Sequence, residues 1–156
     1  MLREDEGKVQ QSSKYSWQTG STSSYLIDTN GMIKLVSGDV MTGQGIENGQ
    51  IANCWVEASK DGNTLWAANA LSSSLTSYSI GNNGELKMKN EKAFKNNDES
   101  LFFSDIYLSA DGNFLNQLIG NKGNVMVFKI MQNGDLQVIG SYSGAPKVGA
   151  YGIISL

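Results

Sequence analysis

Histidine is absent from this 156-residue chain, and other chemically versatile residues are scarce. Without histidine there is no Ser-His-Asp or Cys-His triad, no histidine-ligated metal and no imidazole general base. The single cysteine, Cys54, excludes an internal disulfide. Lys and Arg total 12 against 15 Asp and Glu, a net charge of −3, and they form no basic stripe of the kind that binds nucleic acid. The chain therefore has few of the residues on which catalytic motifs depend.

Segments that would insert into a membrane or bind a nucleotide are also missing. No apolar run reaches the roughly 18 residues of a membrane helix, and the acidic, polar start MLREDEGKVQ does not have the pattern of a signal peptide. There is no C-x-x-C pair, P-loop or EF-hand, and in GSYSG the nucleophile position of G-x-S-x-G is taken by Tyr142. We therefore expect no cofactor, no metal and neither a nucleic-acid nor a membrane partner. A cytoplasmic and an exported location both stay open.

Glycine, by contrast, is frequent, and it marks an internal repeat. The segment from Asp61 to Leu86 returns from Asp111 to Leu136 without a gap, an offset of 111 − 61 = 50 residues, and residues 24–31 echo residues 77–84. Short apolar segments joined by Asn-Gly or Asp-Gly turns are typical of antiparallel hairpins. A repeat near 50 residues made of such strands predicts an all-β fold, a partial β-propeller of about three four-stranded antiparallel blades.

The repeat divides the chain into four parts. They are an N-terminal loop or partial strand at 1–20, a partial blade at 21–50, a blade at 51–100, and a last blade with a C-terminal closing strand at 101–156. Strands are predicted at 21–28, 32–36, 54–58, 64–69, 75–80, 85–88, 104–108, 114–119, 124–130 and 136–141. Aromatic–isoleucine pairs recur two residues apart, so each pair shares one face of its strand and is expected to contact a neighbouring blade. These pairs are Tyr25/Ile27, Tyr78/Ile80 and Phe128/Ile130.

The stretches NCWVEASKDGNTLWAANALSSSLTSYSIGNNGEL and DIYLSADGNFLNQLIGNKGNVMVFKIMQNGDL, with the closing G-x-P…GA-x-GI, resemble the C-terminal blades of the lactonase-family seven-bladed β-propellers. This group includes 6-phosphogluconolactonase-like proteins and the 3-carboxy-cis,cis-muconate cyclase type. The resemblance covers about residues 15–156, or three blades of seven. An incomplete ring leaves a sheet face and a strand edge uncovered at each end. Missing blades or a homo-oligomer, in which two chains give about six blades, would each complete the circle.

Two carboxylates are candidates for a central channel. Glu57 and Asp105 lie on the predicted first strands of successive blades, although Glu57 aligns with Tyr107 and Asp105 with Trp55. The other acidic candidates, Asp61 and Asp111, recur at one tight turn beside Gly and are expected to cap it. Cys54 is expected to be a small buried residue, since no histidine is present to lower its pKa. The tryptophans, which could stack on a sugar, are expected to pack in the core instead: Trp17, Trp55 and Trp66.

The resemblance implies lactone chemistry, which in the family draws on His, Glu and Arg around the channel. This chain has no His and one Arg, Arg3, so no catalytic residue carries over. The expected function is a non-catalytic propeller segment, a scaffold or a ligand- or protein-binding surface. The alternative is part of a lactone hydrolase or muconate-type cyclase, acting on a ligand such as a sugar lactone, whose catalytic groups lie on missing blades or a partner chain. Whether the chain is an enzyme stays open.

Overall fold

The structure is a computed structural model, and it describes residues 21–41 and 52–154. Within those residues the chain forms ten β-strands and no helix. The strands assemble into three antiparallel sheets, of two, four and four strands. The fold is therefore all-β, as the repeat predicts. The predicted segment 1–20, including Trp17, and the connection over 42–50 lie outside the described residues.

The strands pair in chain order, so each sheet is a simple meander. We name the two-stranded sheet the first blade, the next the middle blade and the third the last blade. The first blade comprises β1 (Ser21–Ile27) and β2 (Ile33–Met41); the middle blade comprises β3 (Asn53–Ala58), β4 (Thr64–Asn69), β5 (Ser74–Ile80) and β6 (Leu86–Lys95); the last blade comprises β7 (Phe103–Leu108), β8 (Phe114–Ile119), β9 (Asn124–Ile130) and β10 (Leu136–Ser143).

The main hydrophobic core lies between the middle and last blades. Trp66 and Leu75 of the middle blade join Leu115 and Phe128 of the last blade in one cluster, and all four side chains are fully buried. Side chains alternate between the two faces of a strand, so this cluster takes one face from each blade. Phe128, together with the Ile130 that packs against the cluster, confirms the predicted interblade role of its aromatic–isoleucine pair.

The outermost strand of the middle blade also reaches into this interface. The ring of Phe94 on β6 lies 4.8 Å from that of Phe128, at an interplanar angle of 65°, and stacks nearly parallel to that of Phe103 at 6.1 Å. Such offset and edge-to-face arrangements are the favoured ones for aromatic pairs. Phe94 therefore fastens the outer part of one blade to the next.

A second, smaller core joins the first and middle blades. Tyr78 is fully buried there with Leu86, and burial raises the pKa of Tyr78 to about 12. Hydrogen bonds cross the same interface: the Ser24 hydroxyl donates to the carbonyl of Gly84 (2.6 Å), and the Leu86 N–H donates to the hydroxyl of Ser37 (2.9 Å). The middle blade is thus covered on both faces.

The tail after β10 crosses the end of the last blade toward its first strand. The N–H of Ala145 donates to the carbonyl oxygen of Gly123 (3.1 Å), in the turn between β8 and β9. Further along, the N–H of Ile153 donates to Oδ2 of Asp105 on β7 (3.0 Å). The described part of the tail, residues 144–154, forms no strand.

Two strands are longer than the sequence pattern predicts. β2 continues to Met41 rather than ending at 36, and β6 continues to Lys95 rather than ending at 88. Irregular pairing between Ser77 and its neighbours on β5 allows β6 to bend and keep its hydrogen bonds through a polar stretch. The predicted charged linker at 89–100 is therefore strand over its first half.

Candidate functional site

The first strands of the middle and last blades, β3 and β7, pack side by side. Each is an edge strand of its sheet, so its side chains and one row of backbone groups face away from the sheet. Both predicted candidates lie on this inner edge, with Glu57 on β3 and Asp105 on β7. The structure thus brings together two carboxylates that are 48 residues apart in the chain, since 105 − 57 = 48.

Glu57 is half-buried, and its pKa is raised above its ordinary value. The main cause is burial, which removes water from the ionised form, and the second is repulsion from the negative charge of Asp105. Glu57 pairs with Trp66 across the β3–β4 ladder, so its side chain shares the face that carries the main core. An acid in this position keeps its proton to a higher pH than an exposed glutamate does.

Asp105 is also half-buried, but it has a structural partner. Its Oδ2 atom accepts the hydrogen bond from the N–H of Ile153, which ties the tail to β7. The inner edge is lined further by aromatic rings in edge-to-face contact. Trp55 lies 6.1 Å from Phe102, and Phe102 lies 6.3 Å from Tyr151 of the tail. The inner edge therefore combines two carboxylates with a row of three rings.

The chemistry available to this site is proton exchange rather than metal catalysis by its own residues. A carboxyl group with a raised pKa beside an acidic neighbour can donate or accept a proton near its working pH. Among residues 21–41 and 52–154, no group of three or more His, Cys, Asp or Glu side chains could hold a metal ion. The same part of the chain contains no helix able to span a membrane.

The other acidic pair caps turns, as the sequence predicts. Asp61 accepts hydrogen bonds from the Ser59 hydroxyl (2.5 Å) and the Asn63 N–H (3.1 Å). Asp111 repeats this arrangement 50 residues on, with 2.5 Å to the hydroxyl of Ser109. The hydrogen bonds lower the pKa of Asp61, and they lower that of Asp111 to about 2. Both carboxylates are fully exposed and serve the backbone of their turns.

Cys54 corrects one expectation, because it is exposed rather than buried. The pairing of β3 with β4 is irregular between Asn53 and Val56, so Cys54 sits in a bulge and turns away from the sheet. The tryptophan expectation is confirmed where it can be examined. Trp66 is fully buried in the main core, and Trp55 packs against the edge of that core.

Sequence reasoning proposed Glu57 and Asp105 separately and missed what links them. Their alignment with Tyr107 and Trp55 places them at different positions of the repeat, so periodicity gives no reason to expect an interaction. The approach of β3 to β7 supplies that reason. The anchoring of the tail at Asp105 was also missed, although the resemblance to a closing segment at residues 144–153 was a signal for it.

Comparison with solved structures gives the architecture a context. A protein of unknown function from Desulfotomaculum acetoxidans superposes with a TM-score of 0.64 at 20% identity, covering 81% of this chain and 36% of that one. A putative 6-phosphogluconolactonase from Bacteroides uniformis gives a TM-score of 0.60 at 16% identity, covering 79% and 36%. The periplasmic gluconolactonase of Pseudomonas aeruginosa gives 0.51 at 20% identity, covering 70% and 29%.

The fold is that of a partial lactonase-like propeller. At these identities the likeness establishes the fold and leaves the activity open. The propeller segment spans about a third of the length of the solved structures it matches, which fits a fragment of such a fold. No protein-family model matches the chain, and no curated protein matches its sequence.

Proposed function

We propose that this chain is the C-terminal segment of a lactonase-like propeller and acts as a non-catalytic scaffold with a binding surface at its ends. The observation that carries the proposal is the use of Asp105, one of the two inner-edge carboxylates, to hold the tail through Ile153. A carboxylate that binds its own backbone is committed to the fold. Glu57 then remains as a lone acid, with no histidine anywhere in the chain to complete a catalytic set.

A lactone hydrolysis assay tests the scaffold proposal. The purified chain would be mixed with glucono-1,5-lactone and, separately, 6-phosphogluconolactone, and acid release would be followed against buffer alone. We expect a rate equal to the spontaneous background. A rate above background that the Glu57→Gln variant abolishes would overturn the proposal, provided that Asp61→Asn, which removes only a turn carboxylate, retains the full rate.

The alternative is that the segment contributes to a lactone hydrolase, or to a cyclase of the muconate type, whose other catalytic groups lie on further blades or a partner chain. The raised pKa of Glu57 supports it, because burial and a neighbouring charge are the usual means of tuning a general acid. A sugar lactone would then bind at the inner edge, where Trp55 and Tyr151 offer ring faces. Hydrolysis by a longer propeller containing this segment, lost on Glu57→Gln, would favour the alternative.

A further inference from the structure

The two ends of the segment present the two opposite sides of one kind of interface. Inside the chain, the middle blade packs against the last blade through Leu75 and Phe94, which pair across β5 and β6. In the last blade the equivalent cross-strand pair is Val125 and Tyr142, because Val125 lies 50 residues after Leu75 and pairs with Tyr142. Tyr142 is therefore the counterpart of Phe94. It is 57% exposed.

The first blade carries the receiving surface. In the last blade, Phe94 contacts Phe128, and the repeat places Tyr25 at the position of Phe128. Ser24 and Leu26 point toward the middle blade, where they meet Gly84, so Tyr25 and Ile27 point the opposite way.

This outward side of the first blade is apolar and exposed. Directly opposite residues of an antiparallel pair share a face, so Leu35 joins Tyr25 and Ile33 joins Ile27. Ile27, Ile33 and Leu35 are 68%, 56% and 54% exposed. The equivalent of Ile27 in the last blade, Ile130, is half-buried against the main core. The same repeat position is thus covered in one blade and open in the other.

We propose that these two faces bind each other between copies of the chain, so that the last blade of one copy packs on the first blade of the next, head to tail. The proposal rests on the chain being a propeller segment. Tyr142 of one copy would contact Tyr25 of the next as Phe94 contacts Phe128 within the chain. Since the segment matches about a third of each similar structure, about three copies would make up one full length.

The test uses one variant for each face. Ile27→Asp introduces a charge on the face of the first blade, and Tyr142→Asp introduces one on the face of the last blade. An unpaired carboxylate in an apolar interface should weaken association by roughly 100-fold or more. The matched control is Leu71→Asp, which adds the same charge at a side chain that is 53% exposed in the turn between β4 and β5. Circular dichroism and thermal melting verify that each variant is folded.

Light scattering after size exclusion gives the result. We expect the wild type and Leu71→Asp to form oligomers, and each face variant alone to be a monomer. A mixture of the two variants should form a 1:1 dimer and nothing larger, because each variant retains one intact face and the two intact faces are complementary. This outcome is specific to head-to-tail association.

Three results would overturn the proposal. One is a wild type that stays monomeric at its highest soluble concentration. Another is a face variant that still dimerises alone, which would mean that like faces pair or that another surface binds. The third is a mixture of folded variants that does not form the dimer. None of these results bears on the lactone assay, so the scaffold proposal can fail or stand separately.

Discussion

Truncating Phe94 offers the most direct test of how the blades are held together. Phe94 contacts two rings of the last blade, those of Phe103 and Phe128, and is itself half-buried. Removal of a fully buried Phe side chain costs about 3–5 kcal/mol, and each favourable ring pair contributes about 0.5–1.5 kcal/mol beyond burial. Because Phe94 is only half-buried, we expect Phe94→Ala to lower the free energy of unfolding by about 2–3 kcal/mol.

The control is built into the repeat. Tyr142 occupies the same position in the last blade but has no further blade beside it in the chain, so Tyr142→Ala should change the stability of the monomer by no more than about 0.5 kcal/mol. Urea denaturation followed by tryptophan fluorescence measures both variants, in dilute solution where association does not contribute. Phe94→Ala should move the midpoint while the slope stays constant.

The comparison can refute the reasoning in a simple way. If Phe94→Ala destabilises the protein no more than Tyr142→Ala does, the interblade contact of Phe94 makes no net contribution, and the assignment of equivalent positions fails with it. A changed slope for Phe94→Ala would instead indicate that the two blades unfold separately. Their shared core between Trp66 and Phe128 argues for a single transition.

Three further predictions follow from local features. Glu57→Gln should stabilise the protein at pH 7 by less than about 1 kcal/mol and have no effect near pH 3, because a raised carboxyl pKa makes folding less favourable once pH rises above its ordinary value of 4.5; urea midpoints at the two pH values measure this. Asp111→Asn should flatten the loss of stability between pH 4 and about 2, because the wild-type carboxylate, with its pKa lowered to about 2, stabilises the turn only while ionised; acid titration of the melting temperature checks it. Gly123→Ala would drive a methyl group into the carbonyl of Ala145, so the tail should become sensitive to protease, whereas Gly62→Ala, at a similar positive φ with open space around it, should leave the tail protected.

Most of the strand pattern could be predicted from sequence because turns and alternation carry it. Asp-Gly and Asn-Gly turns mark the hairpins, and the positive φ of Gly62 and Gly112, 72° and 77°, is what such turns require. β8 and β9 were predicted with their observed limits, at Phe114–Ile119 and Asn124–Ile130. Local chemistry is sufficient in these segments because each strand pairs with its sequence neighbour.

The remaining features depend on packing that leaves little trace in sequence. β6 runs on through a polar stretch because Phe94 has a core to enter, and a single aromatic residue among charges gives no strand period. Cys54 is exposed because the pairing of β3 is irregular, which depends on how the edge strand meets its neighbour. The approach of Glu57 to Asp105 requires two blades to be placed side by side, which no window of sequence describes.

The stability of the segment and its proposed association depend on the same surfaces. In β4 and β5, both strands of the middle blade, nearly every residue is buried, because that blade is covered on its two faces. β1 and β2, with one covered face, leave Ile27 and Ile33 largely exposed. In repeat proteins each unit is stabilised by its neighbours, so the end units are the weakest. A neighbouring copy that covered the outer face of the first blade would give that blade the environment that the middle blade already has, and for this reason folding of the first blade and association of the chain should strengthen each other.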